Sequence, residues 1–246
     1  MGKHKAEHKK DTSPHIPQAP KVKEFEIKTP HQFTPKQLEI IKCILDKNTK
    51  IVFIQGVAGT AKSYLSVYCG LRLLKDGLVR KINYVRSAIE SASKSIGFLP
   101  GEVESKIQPY AKPLVDKMEE FLNKPTIERL INDDCVRADL VNFLRGQSLN
   151  VEYLLCDEAQ NLDKKELTTI ITRFGKRSKF IFTGDVLQSD INGRSYFKQF
   201  CDLFDDNISR ENGIFTFKLG IEDVLRSEEL KYILGKLEED AAKDRK

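Results

Sequence analysis

The sequence predicts one α/β domain with a mostly parallel central sheet flanked by helices. Short apolar runs typical of buried strands alternate with longer segments of helical periodicity, and this alternation is typical of parallel sheets covered by helices. The first run ends in a glycine-rich turn that leads directly into a helical segment. The chain has 246 residues, of which 40% are hydrophobic and 31% charged, so its composition and length suit one large globular domain.

The predicted elements follow one another in this alternating order. The first helix is predicted to begin at Thr34 and Pro35, a capping residue followed by proline at the first helical position. Later helical segments share apolar residues three and four positions apart: 62–75, 103–122, 164–174 and 227–238. The first predicted strand is the apolar run 51–54. Further strands are predicted at short segments rich in apolar residues: 81–85, 151–156, 179–183 and 214–217.

Two regions of the pattern are less regular. Pro109 and Pro113 fall inside the third helical segment and are expected to break or kink it. A polar helical stretch is expected between residue 122 and the strand at 151–156. Residues 1–22 are predicted to be a flexible basic tail, residues 23–240 the folded domain, and residues 241–246 a frayed end.

Composition excludes several classes of protein. No run approaches the ~18–20 apolar residues of a spanning helix, so no membrane association is expected. The first ten residues lack the apolar segment of a secretion signal. The five cysteines are dispersed, which favours reduced thiols in the cytoplasm over disulfides or a zinc site. A net charge of +5 permits an anionic partner without requiring one.

The turn after the first strand has the spacing of a phosphate-binding loop of the Walker A type. In that position a glycine-rich loop and a helix N-terminus present backbone N–H groups to a polyphosphate. Lys62 is expected to reach the β- and γ-phosphates, and the Ser63 hydroxyl to ligate Mg²⁺. Ala61 stands where the usual pattern has glycine, and its methyl group is expected to crowd the loop. The alternative is a turn that binds no ligand. The predicted nucleotide-binding residues of this segment are Gly56, Val57, Ala58, Gly59, Thr60, Ala61, Lys62, Ser63 and Tyr64.

Carboxylates follow two later strands. Asp157 and Glu158 end an apolar strand, a Walker B arrangement in which Asp157 holds the magnesium through its hydration shell and Glu158 polarises the attacking water. The alternative is a pair that caps the next helix. Asp185 follows the strand at 179–183, and Gln188 is a candidate to sense the γ-phosphate or position water. A plain turn is the alternative there.

These segments, in this order, resemble the PhoH-like family of single-domain ATPases, which is similar to the first motor domain of superfamily 1 helicases. The resemblance extends from about residue 30 to residue 238. It includes a segment that resembles the family's adenine-reading motif and marks Gln37, and an arginine motif that marks Arg226. The matching segments are 34–37, 56–63, 97–101, 106–114, 145–146, 157–161, 184–188 and 223–226.

The resemblance implies a RecA-like P-loop domain that hydrolyses ATP with Mg²⁺, with the energy used on RNA or single-stranded DNA. It also implies a homo-oligomer, a hexameric ring in which one subunit offers an arginine to its neighbour's site. Arg226 is the first candidate for this γ-phosphate contact, followed by Arg86, Arg145 and Arg194. Departures from the family pattern are Ala61, Ser87, Gln147 and Ser227.

Other interpretations remain open at this point. A nucleotide or small-metabolite kinase would need an acceptor pocket and an arginine-rich lid. A binding module would hold ATP as a switch or structural ligand, with catalysis weakened by Ala61. A set of basic residues is either a nucleic-acid surface or an ordinary solvated face: Lys94, Lys106, Arg173, Lys176, Arg177 and Lys179.

Overall fold

The structure is a computed structural model that describes residues 24–28, 32–87, 103–186, 188, 196–225 and 227–243. The predicted tail at 1–22 therefore lies outside the described residues. Among the described helices, none is both long and apolar enough to cross a membrane.

Helices and strands alternate along the chain. The strands are β1 (Ile51–Gly56), β2 (Lys81–Arg86), β3 (Val136–Leu140), β4 (Glu152–Asp157), β5 (Lys179–Gly184) and β6 (Ile214–Leu219). The helices are α1 (Pro35–Leu45), α2 (Lys62–Lys75), α3 (Val103–Glu119), α4 (Lys124–Asn132), α5 (Lys164–Ile171), α6 (Tyr196–Leu203), α7 (Asn207–Glu211) and α8 (Glu228–Lys243). Short 3₁₀ turns lie at Val141–Leu144, Ala159–Asn161 and Ile221–Asp223.

The described strands form one six-stranded sheet in the order β3-β2-β4-β5-β1-β6, and every pair is parallel. This confirms the predicted α/β class. Because the strands are parallel, their carboxyl ends share one edge of the sheet. Arg86 is the register partner of Asp157, and Gln55 that of Gly184. The sheet therefore assembles its site at the ends of β1, β2, β4 and β5.

Apolar side chains fill both faces of the sheet. Helices α1 to α4 cover one face, where Ile40, Leu65 and Tyr153 are fully buried. Helices α5 and α6 cover the other, where the rings of Phe53 and Phe182 stack with centroids 5.0 Å apart. Strands buried on both faces explain why the sequence shows continuous apolar runs rather than alternation.

Strand β3 was not predicted from the sequence, because a polar helical stretch was expected between residue 122 and the strand at 151–156. That expectation is right for α4 and wrong for β3. The strand carries Arg137 and Asp139, whose side chains pair at 2.8 Å although Asp139 is buried. A charged pair within five residues at the edge of a sheet hides the apolar signal of a strand.

Other elements differ in extent. Helix α3 continues through Pro109 and Pro113, so the expected break is wrong. A proline removes one helical hydrogen bond, and the burial of Leu114 and Met118 on the same helix offsets that loss. Helix α5 ends at Ile171 rather than 174, and α8 continues to Lys243 rather than ending near 238.

Candidate nucleotide-binding site

The loop between β1 and α2 has the backbone of a tight anion-binding turn. Gly59 and Ala61 have positive φ angles of 83° and 61°. A Cβ atom on Gly56 would lie 2.9 Å from the Leu219 Cβ, so the loop begins where β6 approaches closely. The Thr60 hydroxyl donates to the Val57 carbonyl at 2.8 Å and closes the loop from inside. The loop is thus shaped by contacts within the protein.

Lys62 lies across its own loop. Its Nζ donates to the carbonyl oxygens of Gly56 at 2.7 Å and Val57 at 2.9 Å. Burial lowers the pKa of this ammonium, while the carboxylates of Asp185, Glu158 and Asp157 act in the opposite direction. A polyphosphate entering the loop would offer the ammonium an anionic partner in place of the two carbonyls.

The Asp157 carboxylate collects hydroxyl groups from three elements of the described chain. Its Oδ1 accepts from Ser63 Oγ at 2.8 Å and from Thr183 Oγ1 at 2.6 Å. Its Oδ2 accepts from the Tyr84 hydroxyl at 3.0 Å. Burial and the neighbouring Asp157 carboxylate raise the pKa of the Tyr84 phenol, so this hydroxyl stays a donor. The end of β4 is therefore bonded to the start of α2, the end of β5 and β2.

Glu158 follows directly, with a positive φ angle of 53°. Its Oε2 accepts from the Gln160 amide at 2.6 Å, and its Oε1 lies 3.8 Å from an Arg86 guanidinium nitrogen. The Gln160 carbonyl oxygen in turn accepts from the backbone N–H of Asp185 at 3.0 Å. About a third of the Glu158 side chain is exposed, so water can reach it.

The strand end at Gly184 leaves no room for a larger residue. A Cβ atom there would lie 2.8 Å from the Phe197 ring and 2.9 Å from the Gln160 side-chain oxygen. Gln188 is exposed, and its backbone N–H donates to the Asp185 carbonyl at 3.1 Å. The expected role of Gln188 at the γ-phosphate stays a prediction.

Gln37 is fully buried beneath the loop. Its amide nitrogen donates to the backbone carbonyls of Thr60 at 3.1 Å and Asp223 at 3.0 Å. Its carbonyl oxygen accepts from the Thr34 backbone N–H, within the capping box at the start of α1. Both donor hydrogens of the amide are therefore engaged with the protein. The expected contact with adenine stays a prediction.

The segment after β6 is built onto the same loop. The Thr34 hydroxyl donates to the Asp223 carboxylate at 2.7 Å, and the Leu225 N–H donates to the Gly59 carbonyl at 3.3 Å. Val57, Val224 and Leu234 form a small apolar cluster beside these bonds. The chain thus passes the loop immediately before position 226.

The candidate arginines are distributed as follows. Arg86 lies at the site beside Glu158. Arg145 is exposed after the 3₁₀ turn Val141–Leu144. Arg194 and Arg226 lie outside the described residues.

The oxygen ligands near the loop fit magnesium. Mg²⁺ prefers hard oxygen donors, keeps several waters, and is held by one or two protein groups together with substrate phosphates. Ser63 Oγ and the Asp157 carboxylate, 2.8 Å apart at the loop, are such a set. Within the described residues, no three His, Cys, Asp or Glu side chains cluster as a metal site.

The suggested basic face is wrong for Lys179. This residue is buried, and its Nζ donates to the carbonyls of Asp46 at 2.5 Å and Thr49 at 2.7 Å. Lys176 and Arg177 are exposed, but they precede β5 and so lie at the opposite edge of the sheet from the loop. Lys94 lies outside the described residues.

The loop, Asp157 and Glu158 were predicted from the sequence, whereas the roles of Tyr84, Thr183 and Gln160 were not. The available signal was a hydroxyl-bearing residue near the end of each of two strands, Tyr84 on β2 and Thr183 on β5. Nothing local in the sequence says that these two hydroxyls meet at one carboxylate.

The chain matches a family model described as PhoH-like protein over residues 30–238. It is 39% identical over 145 residues to a PhoH-like protein of Bacillus subtilis, covering 59% of this chain and 45% of that protein. It is 34% identical over 184 residues to one of Mycobacterium leprae, covering 74% of this chain and 51% of that protein. The chain thus spans about half the length of these relatives. Among solved structures, it is similar to a Sulfolobus solfataricus SWI2/SNF2 ATPase core in complex with dsDNA, with a TM-score of 0.43 and 13% identity, over 81% of this chain and 47% of that one.

Proposed function

Since this chain belongs to the PhoH-like protein family, we propose that it hydrolyses ATP, bound with Mg²⁺ at the loop 56–63. The supporting observation is the 2.8 Å hydrogen bond between Ser63 Oγ and Asp157 Oδ1. It places the first hydroxyl of α2 against the carboxylate that ends β4. A turn without a ligand gives no reason to bring a buried carboxylate to this hydroxyl.

Each residue has a defined part in the proposed reaction. The loop N–H groups and the Lys62 ammonium bind the β- and γ-phosphates and stabilise charge on the transferring group. Glu158 accepts a proton from the water that attacks the γ-phosphorus. The bond between the γ-phosphorus and the bridging oxygen breaks, and ADP and inorganic phosphate are released. Bound Mg²⁺ would supply charge neutralisation, with Ser63 and Asp157 holding it.

In the structure the Glu158 carboxylate is held by Arg86 and Gln160. The Gln160 bond orients one oxygen, and partial exposure lets a water approach the carboxylate. Arg86 lies beside the end of β4, and we expect a bound phosphate to compete with Glu158 for its guanidinium group. These contacts favour water activation over transfer to a bound acceptor, as a kinase would require.

The decisive experiment compares Glu158→Gln with wild-type protein. The variant should retain ATP binding and lose about 10²- to 10⁴-fold in hydrolysis, because it removes the base and keeps the shape. Lys62→Ala should weaken both binding and hydrolysis, which makes it a useful second variant. Phosphate release and the affinity for a fluorescent ATP analogue are the two measurements. Wild-type turnover in Glu158→Gln would refute the catalytic assignment. Tight ATP binding with no turnover in the wild-type protein would favour a switch or structural module.

The proposal extends to nucleic acid and to assembly. RNA or single-stranded DNA is the proposed effector, and a hexameric ring is the proposed assembly, both supported by family membership. ATPase turnover with and without single-stranded RNA or DNA tests the first. Light scattering with and without ATP tests the second. Turnover restored by mixing Arg226→Ala with Lys62→Ala subunits would support a shared site, whereas a fully active monomer would contradict it.

A further inference from the structure

We propose that Tyr84 is a positioning residue for the metal-binding carboxylate. Its hydroxyl fixes which oxygen of Asp157 faces the loop, and so sets the affinity of the site for divalent metal. This inference rests on the proposed nucleotide site. It assigns a function to a residue on β2 that would not itself contact nucleotide or metal.

The position of Tyr84 follows from the sheet. Strands β2 and β4 are parallel neighbours, with Tyr84 the register partner of Leu155. Because side chains alternate along a strand, Leu155 and Asp157 point to the same face, the one covered by α2. Tyr84 is 2% exposed in the core of that face. Its ring is part of the apolar core, and its hydroxyl donates to Asp157 Oδ2 at 3.0 Å.

The hydrogen bonds of Asp157 divide between its two oxygens. Ser63 and Thr183 both donate to Oδ1, and Tyr84 donates to Oδ2. A hydroxyl can bind a metal through an oxygen lone pair while its hydrogen still donates, but the metal would then set the position of the Ser63 hydroxyl. Thr183 and Tyr84 then remain as the anchors, one on each oxygen. Hydrogen bonds to both oxygens prevent rotation of the carboxylate, whereas a hydrogen bond to one oxygen does not.

The burial of Asp157 makes this restraint effective. The residue is 8% exposed, so water replaces a lost donor poorly. A phenylalanine at position 84 would fill the same volume and leave Oδ2 without this donor. Removing a group that orients a metal ligand typically weakens metal affinity about 10- to 100-fold.

The test compares Tyr84→Phe with Tyr153→Phe. Tyr153 is a matched control because it is fully buried in the same core cluster and its hydroxyl donates at 2.7 Å to the backbone of Ser66, not to Asp157. Mn²⁺ binding to the protein–ADP complex, followed by electron paramagnetic resonance, is the main measurement. ADP binding in EDTA and urea unfolding are measured alongside.

For Tyr84→Phe, Mn²⁺ affinity should fall about 10- to 100-fold, and ADP affinity in EDTA should stay within about twofold. Tyr153→Phe should leave Mn²⁺ affinity unchanged. Thr183→Val removes the anchor on the other oxygen, so it should also weaken Mn²⁺ binding and provides a second variant if Tyr84→Phe does not fold.

Other outcomes would overturn the inference. If folded Tyr84→Phe binds Mn²⁺ as tightly as the wild-type protein, the anchors are dispensable. If Tyr84→Phe does not fold, wild-type Mn²⁺ affinity in folded Thr183→Val would show the same. Equal weakening in Tyr153→Phe would show that general core packing, not the bond to Asp157, controls the site. If wild-type protein binds no Mn²⁺ with ADP, the proposed nucleotide site itself fails, which distinguishes that failure from the first two.

Discussion

Replacing Ala61 by glycine should stabilise the protein. Ala61 precedes Lys62 and has φ 61° and ψ 23°, the left-handed conformation. For a residue with a Cβ atom this conformation is unfavourable by about 1–2 kcal/mol, and glycine adopts it without that strain. The backbone N–H groups of the following turn depend on this conformation, so the native fold retains it despite the strain.

The expected gain is the difference between two effects. Glycine removes about 1–2 kcal/mol of strain, but it also increases the freedom of the unfolded chain by about 0.4–1 kcal/mol. The free energy of unfolding should therefore rise by about 1 kcal/mol. For a domain of this size the melting temperature should rise by about 2–4 °C.

Urea unfolding of the ligand-free protein measures this change, and Ala58→Gly is the matched control. Ala58 belongs to the same loop but is not among the positive-φ residues. Its replacement should lower stability by about 0.4–1 kcal/mol. Equal losses in the two variants would refute the reasoning, because they would show that the φ angle of Ala61 carries no strain. ADP affinity should stay within a small factor or tighten in Ala61→Gly.

Three further predictions concern Gln37, Cys201 and a pair of glycines. Gln37→Met removes the donors to two backbone carbonyls and should destabilise the protein in urea unfolding by about 2–5 kcal/mol. Because both amide hydrogens bond the protein, we expect the preference for ATP over GTP to stay within about threefold, contrary to the adenine contact that the family resemblance implies; loss of the preference would show that the amide reads the base. Burial raises the pKa of Cys201 to about 12, so the fraction of thiolate stays small up to about pH 9. Iodoacetamide should therefore alkylate this thiol slowly in the folded protein. Complete labelling within minutes at pH 8 would contradict this. Gly184→Ala should destabilise by about 1–3 kcal/mol through overpacking. Gly235→Ala, in α8 with its nearest contact at 3.6 Å, should instead stabilise by about 0.5–1 kcal/mol, as urea unfolding of both variants would show.

Features encoded locally were predictable from the sequence. The loop at 56–63 carries its own signal in the spacing of its glycines, Lys62 and Ser63. The strands β1, β4 and β5 are continuous apolar runs because they are buried on both faces. The position of Asp157 beside the loop was also predictable, since the carboxyl ends of parallel strands lie at one edge of the sheet.

Features that depend on distant residues were not predictable. Tyr84 and Thr183 meet at Asp157 only because β2 and β5 both adjoin β4. The contacts of Gln37 join α1 to the loop and to the turn after β6. Lys179 on β5 is buried and donates to the backbone carbonyls of Asp46 and Thr49, just after α1. The charge of a lysine alone predicts an exposed side chain.

The position of β1, paired on both sides with strands made later in the chain, has a consequence for synthesis of the chain. Its two neighbours are β5 and β6, and Gly56 at the start of the loop is the register partner of Leu219. On a ribosome adding about 5–20 residues per second, the loop is made roughly 8–30 s before the strand that completes its sheet. Until β5 is made, both edges of β1 lack their native partners, and the edge that pairs with β6 stays open for the whole interval. We therefore expect nascent chains arrested before β6 to be open to proteases and chaperones, and the site to form only after nearly the whole domain has emerged.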